Sequence, residues 1–497
     1  MVDPSPSMPR LLHVTVPAPT LDSVRLQART RLVISLLLAS AFVLILNETI
    51  MGVALTHIME GLRIQAATAQ WVTTAFMLTM AVVIPITGFL LQRLSTRTIY
   101  LAAMVSFSIG TLICAVAPDF GTLVAGRVVQ AVGTAIMMPL LMTTVMQLVP
   151  PLRRGQVMGN ISIVISVAPA IGPAVSGLIL SVLDWRGLFW VVLPLVLTML
   201  VIGLLQVPNV TEPRKLRLDV LSVVLSAFGF GGLIFGLSSI GESVYHAPVI
   251  APALPIGVGV VSLVLFALRQ WQLQATDEAL LDLRTFRSRT FTFSVLLMLV
   301  LMGALFGTVI LLPLYLQDAL HLESLQTGLL LVPGGLIMGL LGPLVGRLYD
   351  RWGPRPLAIP GCTLVAAALG LMTQLDEHSR PLLVLALHVL LSIGLALTFT
   401  PLFTSALGSL RPHLYSHGSA TIGTVQQLAG AAGTALFVVL MVTRQVTLEA
   451  GGVAEPTALA SGVGSAFVAG AVLAAVAIPL AAFIRKPAEA LDAPIGH

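Results

Sequence analysis

The sequence predicts an all-α integral membrane fold with fourteen transmembrane helices, arranged as two six-helix bundles plus a central two-helix insertion. Three observations carry this. Of the 497 residues, 57% are hydrophobic and only 9% are charged, whereas a soluble chain carries about 25% charged residues. Apolar runs long enough to span a bilayer recur along the chain, each near the roughly 20 residues a crossing needs. Between them, basic residues gather on alternate loops.

Residues 1–31 hold Pro4, Pro6, Pro9, Pro17 and Pro19 and no long apolar core. They read as a disordered cytoplasmic tail, not as a cleaved leader. The first six spans run at about 32–54, 69–91, 98–117, 121–146, 157–182 and 186–206, and residues 32–206 read as an N-terminal bundle. A linker at 207–289 contains an extra hairpin, 219–240 and 250–270. The C-terminal bundle, 290–484, holds spans at 290–316, 325–345, 355–373, 381–408, 416–442 and 462–484. Residues 485–497 form a second cytoplasmic tail.

Charge tests this count independently. With both termini cytoplasmic, 21 of the 26 basic residues fall inside; Arg63, Arg186, Arg380 and Arg444 fall outside, and Arg127 lies within a span. That asymmetry follows the positive-inside rule, and a miscounted span would invert every later loop. The net charge of +5 is therefore a membrane-topology signal and points to no nucleic-acid partner. Only Lys215 and Lys486 are lysine, a bias that suggests a GC-rich bacterial genome, and the expected location is a bacterial cytoplasmic (inner) membrane.

An internal repeat supports the two bundles. PITGFLLQRLSTR at 85–97 aligns without gaps to PLVGRLYDRWGPR at 343–355, matching Pro85/Pro343, Gly88/Gly346, Leu90/Leu348, Arg93/Arg351 and Arg97/Arg355. Transporters are commonly built from such repeats, with the site between the halves near the midplane. Cys114 and Cys362 both sit in apolar runs, so no disulfide framework or metal cluster is expected. The chain has no Walker sequence, no HExxH and no GxSxG, so no enzyme and no ATP-driven pump is expected. No cofactor is called for. The motive force is expected from an ion gradient, worth about 2.3 kcal/mol per charge per 100 mV.

GRLYDRWGPR at 346–355 resembles the cytoplasmic-loop signature of the major facilitator superfamily, G-x-L-x-D-R-x-G-x-R, at every fixed position. LVAGRVVQAVGTA at 123–135, APAIGPAVSG at 168–177, DWRGLFWVVLP at 184–194, LNETIMGVAL at 46–55 and HGSATIGTVQQLAGAAGTAL at 417–436 resemble further motifs of its fourteen-helix drug/proton antiporters, closest to the lincomycin-resistance-type branch. The departures are Gln92 and Ser95 in the first copy of the loop, Asn47 where many members carry Asp, and Gln426 where many carry Arg. The resemblance implies a multidrug efflux transporter that exchanges protons for hydrophobic, amphiphilic or cationic drugs by alternating access, as a monomer in the lipid bilayer. An exporter of one endogenous lipid, siderophore or metabolite stays open, as does a non-transporting sensor or scaffold.

Ionisable side chains inside a bilayer are costly and usually functional. Glu48 and Arg127 are the two embedded charges whose predicted helices, the first and fourth, line the central cavity of the fold that the motifs resemble. Residue counting puts each about 9 Å below the outer surface. Proton coupling is expected at Glu48 and Arg127. A permanent ion pair between them is the competing reading, and Arg127 could instead bond carbonyls of the first helix. His388 is expected as a neutral residue bonded to a neighbouring helix and Asp119 as a helix cap, with secondary proton sites as the alternative for both. Asn47, Gln130, Met137, Met138, Gln426 and Gln427 are the candidates for a substrate cavity, where methionine favours adaptable binding. Pro169, Gly172, Pro173 and Gly177 are expected to bend and closely pack the fifth helix, with Gly430 and Gly433 doing the same on the thirteenth. Gly346, Arg347, Asp350, Arg351 and Arg355 are expected to form a cytoplasmic latch, stronger than its first-half copy because Gln92 replaces Asp350.

Overall fold

The computed structural model describes residues 21–209, 213, 217–243 and 250–486. Most of the predicted tails, together with Arg214 and Lys215, lies outside them. Fourteen helices among the described residues are long and apolar enough to cross a membrane, and none of these residues forms a strand. They are α1 (Leu21–Leu62), α2 (Trp71–Arg93), α3 (Thr96–Ala115), α4 (Phe120–Leu148), α5 (Arg154–Leu180), α6 (Trp185–Gln206), α7 (Val220–Ser243), α8 (Ala253–Leu273), α9 (Arg289–Leu314), α10 (Ser324–Trp352), α11 (Arg355–Met372), α12 (Pro381–Gly408), α13 (Tyr415–Ala450) and α14 (Glu455–Ala481). Helices satisfy every backbone polar group internally, which is why apolar sequence takes this form in lipid. Short polar residues at the loop ends start several of them. Ser95, Asp119, Asp184 and Ser288 each accept a backbone N–H at the first turn of α3, α4, α6 and α9.

Several ends differ from expectation: α1 begins at Leu21, inside the stretch read as a disordered tail to residue 31, α10 runs on to Trp352 and α14 begins at Glu455. α1 continues to Leu62 and α13 to Ala450, beyond the apolar runs that end at 54 and 442. Polar residues such as Thr56, His57 and Glu60 carry the helix onward, and an apolar count discards them. Glu48 is therefore much further from the end of its helix than counting implied.

The repeated loop makes matching contacts in both halves. Arg97 donates to the Leu204 carbonyl near the end of α6 at 2.6 Å, and its counterpart Arg355 donates to the Ile484 carbonyl beyond α14 at 3.1 Å. Arg93 and Arg351 each lie over a nearby aromatic ring, Phe89 and Trp352. Gly88 packs against His417 and Ala420 of α13, while Gly346 packs against the backbone of Gly155 and Gln156 of α5.

α5 lies along α10, and α2 along α13. Along the first pair, Gly155 meets Gly346, Gly159 meets Gly342, and Ala170 meets Gly335, backbone against backbone in the first two. Small residues permit this approach. Further along, Gly177 and Gly328 have no neighbour within 4 Å of where a Cβ would stand. The helices are thus zipped at the end carrying the basic loops and unzipped beyond Ala170 and Gly335. Ser162–Thr400 at 2.7 Å and Thr143–Ser419 at 2.8 Å join the halves at the same zipped end. The hairpin α7–α8 and the segment after it cover the α2/α13 seam, through Phe230, Phe266, Leu280 and Leu281 against Phe89 and Ala420, and through Ile234 against Ala81 and Ala431.

Candidate functional site

Arg127 is 1% exposed and held on all sides. Its Nη1 donates to Gln130 Oε1 at 2.7 Å and to Asn47 Oδ1 at 3.3 Å, and its Nε donates to the Val72 carbonyl at 3.4 Å. The guanidinium lies 4.0 Å from the centroid of the Phe76 ring, a cation–π contact inside the bundle. Helix spacing explains the first bond, since residues three apart share a face. Gln130 in turn donates to Thr111 Oγ1 at 2.8 Å, which ties α3 into the network. Four helices therefore meet on one cation: α1, α2, α3 and α4.

Glu48 is half-buried and makes no hydrogen bond or ion pair among the described residues. The Arg127 charge acts on it only through space. A standing Glu48–Arg127 ion pair is absent, and the carbonyl that Arg127 does bond belongs to α2, not α1. The shared level of the two residues follows from the Asn47 contact rather than from counting along α1.

Three expected cavity residues are instead packed away. Asn47 and Gln130 are fully buried with their side chains engaged at Arg127, and Met137 is buried in the apolar core. Polarity and flexibility in the sequence could not distinguish a cavity wall from a ligand of the arginine. Met138, Gln426 and Gln427 are half-buried, and the two glutamines make no hydrogen bond among the described residues.

Asp119 caps α4, accepting from the Thr122 backbone N–H at 2.9 Å and from its hydroxyl at 3.1 Å. Those bonds hold its carboxyl below the usual carboxylate range, which favours the cap over proton carriage. His388 faces α10, where its ring lies against Gly334 and the Leu331 carbonyl, with Nδ1 unpartnered.

On α5, Gly172 packs directly onto Thr49 of α1, whose hydroxyl also reaches the Ala168 carbonyl at 3.5 Å. Pro169 lies in the same turn. Pro173 and Gly177 do not share that packing; both are exposed, and Gly177 meets open space. On α13, Gly433 meets the Gly303 backbone and Gly430 meets the Phe306 ring, as close-packing residues do.

The latch has a different partner from the one expected. Asp350 accepts the Gly155 N–H at 2.8 Å and the Gln156 N–H at 2.9 Å, at the N-terminus of α5. None of Arg347, Arg351 or Arg355 forms an ion pair with it. A helix N-terminus offers unpaired N–H groups and positive dipole charge to a carboxylate. Gln92, at the repeat-equivalent position, donates to the His413 carbonyl just ahead of α13 and to the Ser416 hydroxyl in its first turn, both at 3.1 Å. Sequence reasoning missed Phe76, Thr111, Thr49 and the α13 partner of Gln92. A cavity of about 260 Å³ beside Gln92, lined by Asp282, Arg284, His413 and His417, lies at this basic end; Asp277 and Asp282 are both paired to Arg284 there.

Comparison with known proteins agrees with the all-helical membrane fold. The sequence profile of the Major Facilitator Superfamily matches residues 37–434. The chain is 40% identical over 460 residues to the lincomycin resistance protein LmrB of Listeria monocytogenes, covering 91% of this chain and 96% of that one. It is 39% identical over 456 residues to YcnB of Bacillus subtilis, described as an uncharacterized MFS-type transporter, covering 92% and 95%. The crystal structure of the human organic anion transporter MFSD10 superposes with a TM-score of 0.64 at 17% identity, over 91% of this chain and 99% of that chain, a likeness of fold. A profile match across most of the chain and relatives at this identity make the chain a member of the major facilitator superfamily, a family of transporters and not of enzymes.

Proposed function

We propose that the chain is a proton-coupled exporter of hydrophobic or cationic drugs, working by alternating access in a bacterial cytoplasmic membrane. The observation that carries this is a buried, caged Arg127 next to a carboxyl, Glu48, that is half-buried and unpartnered. A carboxyl inside a membrane protein with no fixed counter-ion is free to take and release a proton as its surroundings change. In this reading Glu48 carries the proton, Arg127 organises the site, and no cofactor takes part.

Alternation uses the two bundles we propose as rocking units, 32–206 and 290–484, in a monomer with both termini cytoplasmic. The zipped basic end is then the inner gate, closed by Asp350 on α5 and Gln92 ahead of α13. Met138, Gln426 and Gln427 serve as adaptable and polar surface for the drug. The resistance named for a relative at 40% identity supports a drug substrate.

The test is a resistance profile. Cells expressing the chain are expected to tolerate lincomycin and at least one chemically unrelated hydrophobic cation, such as ethidium, beyond control cells. Unchanged sensitivity to both, with the protein present in the membrane, would point to an endogenous substrate instead.

A further inference from the structure

We infer that Asn47 is a positioning residue that holds the Arg127 guanidinium away from Glu48, so that the carboxyl can exchange its proton. The inference rests on the proton-carrying reading of Glu48 given above.

The geometry is that of two neighbours competing for one cation. Asn47 and Glu48 are successive residues of α1, about 100° apart around the helix axis. Arg127 takes the amide oxygen of Asn47 and leaves the carboxylate alone, although the carboxylate is the stronger acceptor. Packing explains the choice. The guanidinium is pinned on its other sides by Gln130, by the Val72 carbonyl and by the face of Phe76. Asn47 supplies the remaining acceptor on α1 and is itself 1% exposed. Its Nδ2 has no partner, so the amide is held there by what its oxygen does for Arg127. A buried polar group left without a partner is costly, and its retention indicates a role. With Arg127 so held, its charge reaches Glu48 only through space, and the strong ion pair that would lock the carboxyl ionised does not form.

The groups facing this site can be named from each helix. α1 brings Asn47 and Glu48; α2 brings the Val72 carbonyl and Phe76; α3 brings Thr111 and Cys114; α4 brings Arg127 and Gln130. Arg127 is thus the cation that sets the state of Glu48, and Asn47 sets where Arg127 points.

The experiment needs no substrate. The infrared absorption of a protonated carboxyl is titrated against pH in the purified full-length protein in lipid, and the part belonging to Glu48 is identified by its loss in Glu48→Gln. Asn47→Ala removes the competing acceptor, so Arg127 turns to Glu48 and the midpoint moves to lower pH by about one unit or more. Asn47→Asp keeps the shape, binds Arg127 more tightly and adds a like charge beside Glu48, so the midpoint moves to higher pH by about as much. Should Asn47→Ala fail to fold, the near-isosteric Asn47→Asp carries the test alone. Opposite shifts establish the positioning role. An unmoved midpoint in Asn47→Asp means Asn47 only fills space, and the inference falls while Glu48 keeps its role. If no band is lost in Glu48→Gln at any pH, the proton-carrying reading itself is overturned.

Discussion

Asp350 places its carboxylate on the first turn of α5, accepting the Gly155 N–H at 2.8 Å from across the seam between α10 and α5. The same glycine packs its Cα against the Gly346 carbonyl. One residue position thereby supplies both the closeness and the polar contact that shut the basic end.

Breaking this contact should open that end. Asp350→Asn removes a charge-assisted bond, worth about 1.5–3 kcal/mol, while Gln92→Ala removes neutral bonds worth about 0.5–1.5 kcal/mol. A cysteine placed at Met338, which is buried beside the Ser162–Thr400 contact, should be alkylated faster from the basic side in both variants, and more so in Asp350→Asn. Equal protection in all three proteins would remove the latch.

The glycine zipper makes a separate prediction. A side chain at Gly159 would stand 2.9 Å from the Pro343 Cα and against the Gly342 carbonyl, where backbone cannot yield. Gly159→Val should insert normally but fail to close the basic end, so that uphill transport is lost while the Met338 cysteine becomes reactive. Gly177→Val, which meets open space, should behave like wild type.

Arg127→Ala strands Gln130 and Asn47, each costing about 1–3 kcal/mol when a buried group loses its partner. Transport should be lost, and thermal stability in detergent should fall. Arg127→Lys should restore only part of either, because a point charge cannot replace a planar fork that bonds α1, α2 and α4 together. Normal efflux by Arg127→Ala would refute its organising role.

The hairpin is tied down by Asp219, whose carboxyl is held below the ordinary carboxylate value chiefly by hydrogen bonds from Arg269 at 3.1 Å. A depressed carboxyl stabilises the fold at neutral pH and loses that contribution as pH falls through its folded value. The pair is partly exposed and screened by solvent, so the contribution is small. Asp219→Asn should lower the melting temperature slightly at pH 7, and the deficit should shrink as pH falls below the ordinary carboxylate range. A deficit that persists at acid pH would assign the effect to packing.

How much of this was legible beforehand follows from what each feature depends on. Span number depends on composition and on the length of each apolar run, so it reads directly. Arg127 and Asp350 stood out because a charge in or beside a span is rare. Their partners did not, since Phe76, Thr111 and the Gly155 N–H are tertiary neighbours with no local signature. Asn47 was misplaced for the same reason: an amide reads as cavity lining until the arginine that it bonds is located. The end of α1 was misjudged because helix propensity outlasts hydrophobicity past residue 54.

The central claim is that Glu48 carries the coupled proton, and Glu48→Gln tests it most directly. The amide is neutral and nearly the same shape, so it mimics a permanently protonated carboxyl and cannot distinguish the two facing states. Purified protein in liposomes with an imposed pH gradient, with lincomycin and ethidium as probes, gives the measurement. Wild type should accumulate at least one probe against its gradient; Glu48→Gln should move that probe only down its gradient, and Glu48→Asp should retain partial uphill transport with a shifted pH dependence. Undiminished proton-driven accumulation by Glu48→Gln would contradict the account.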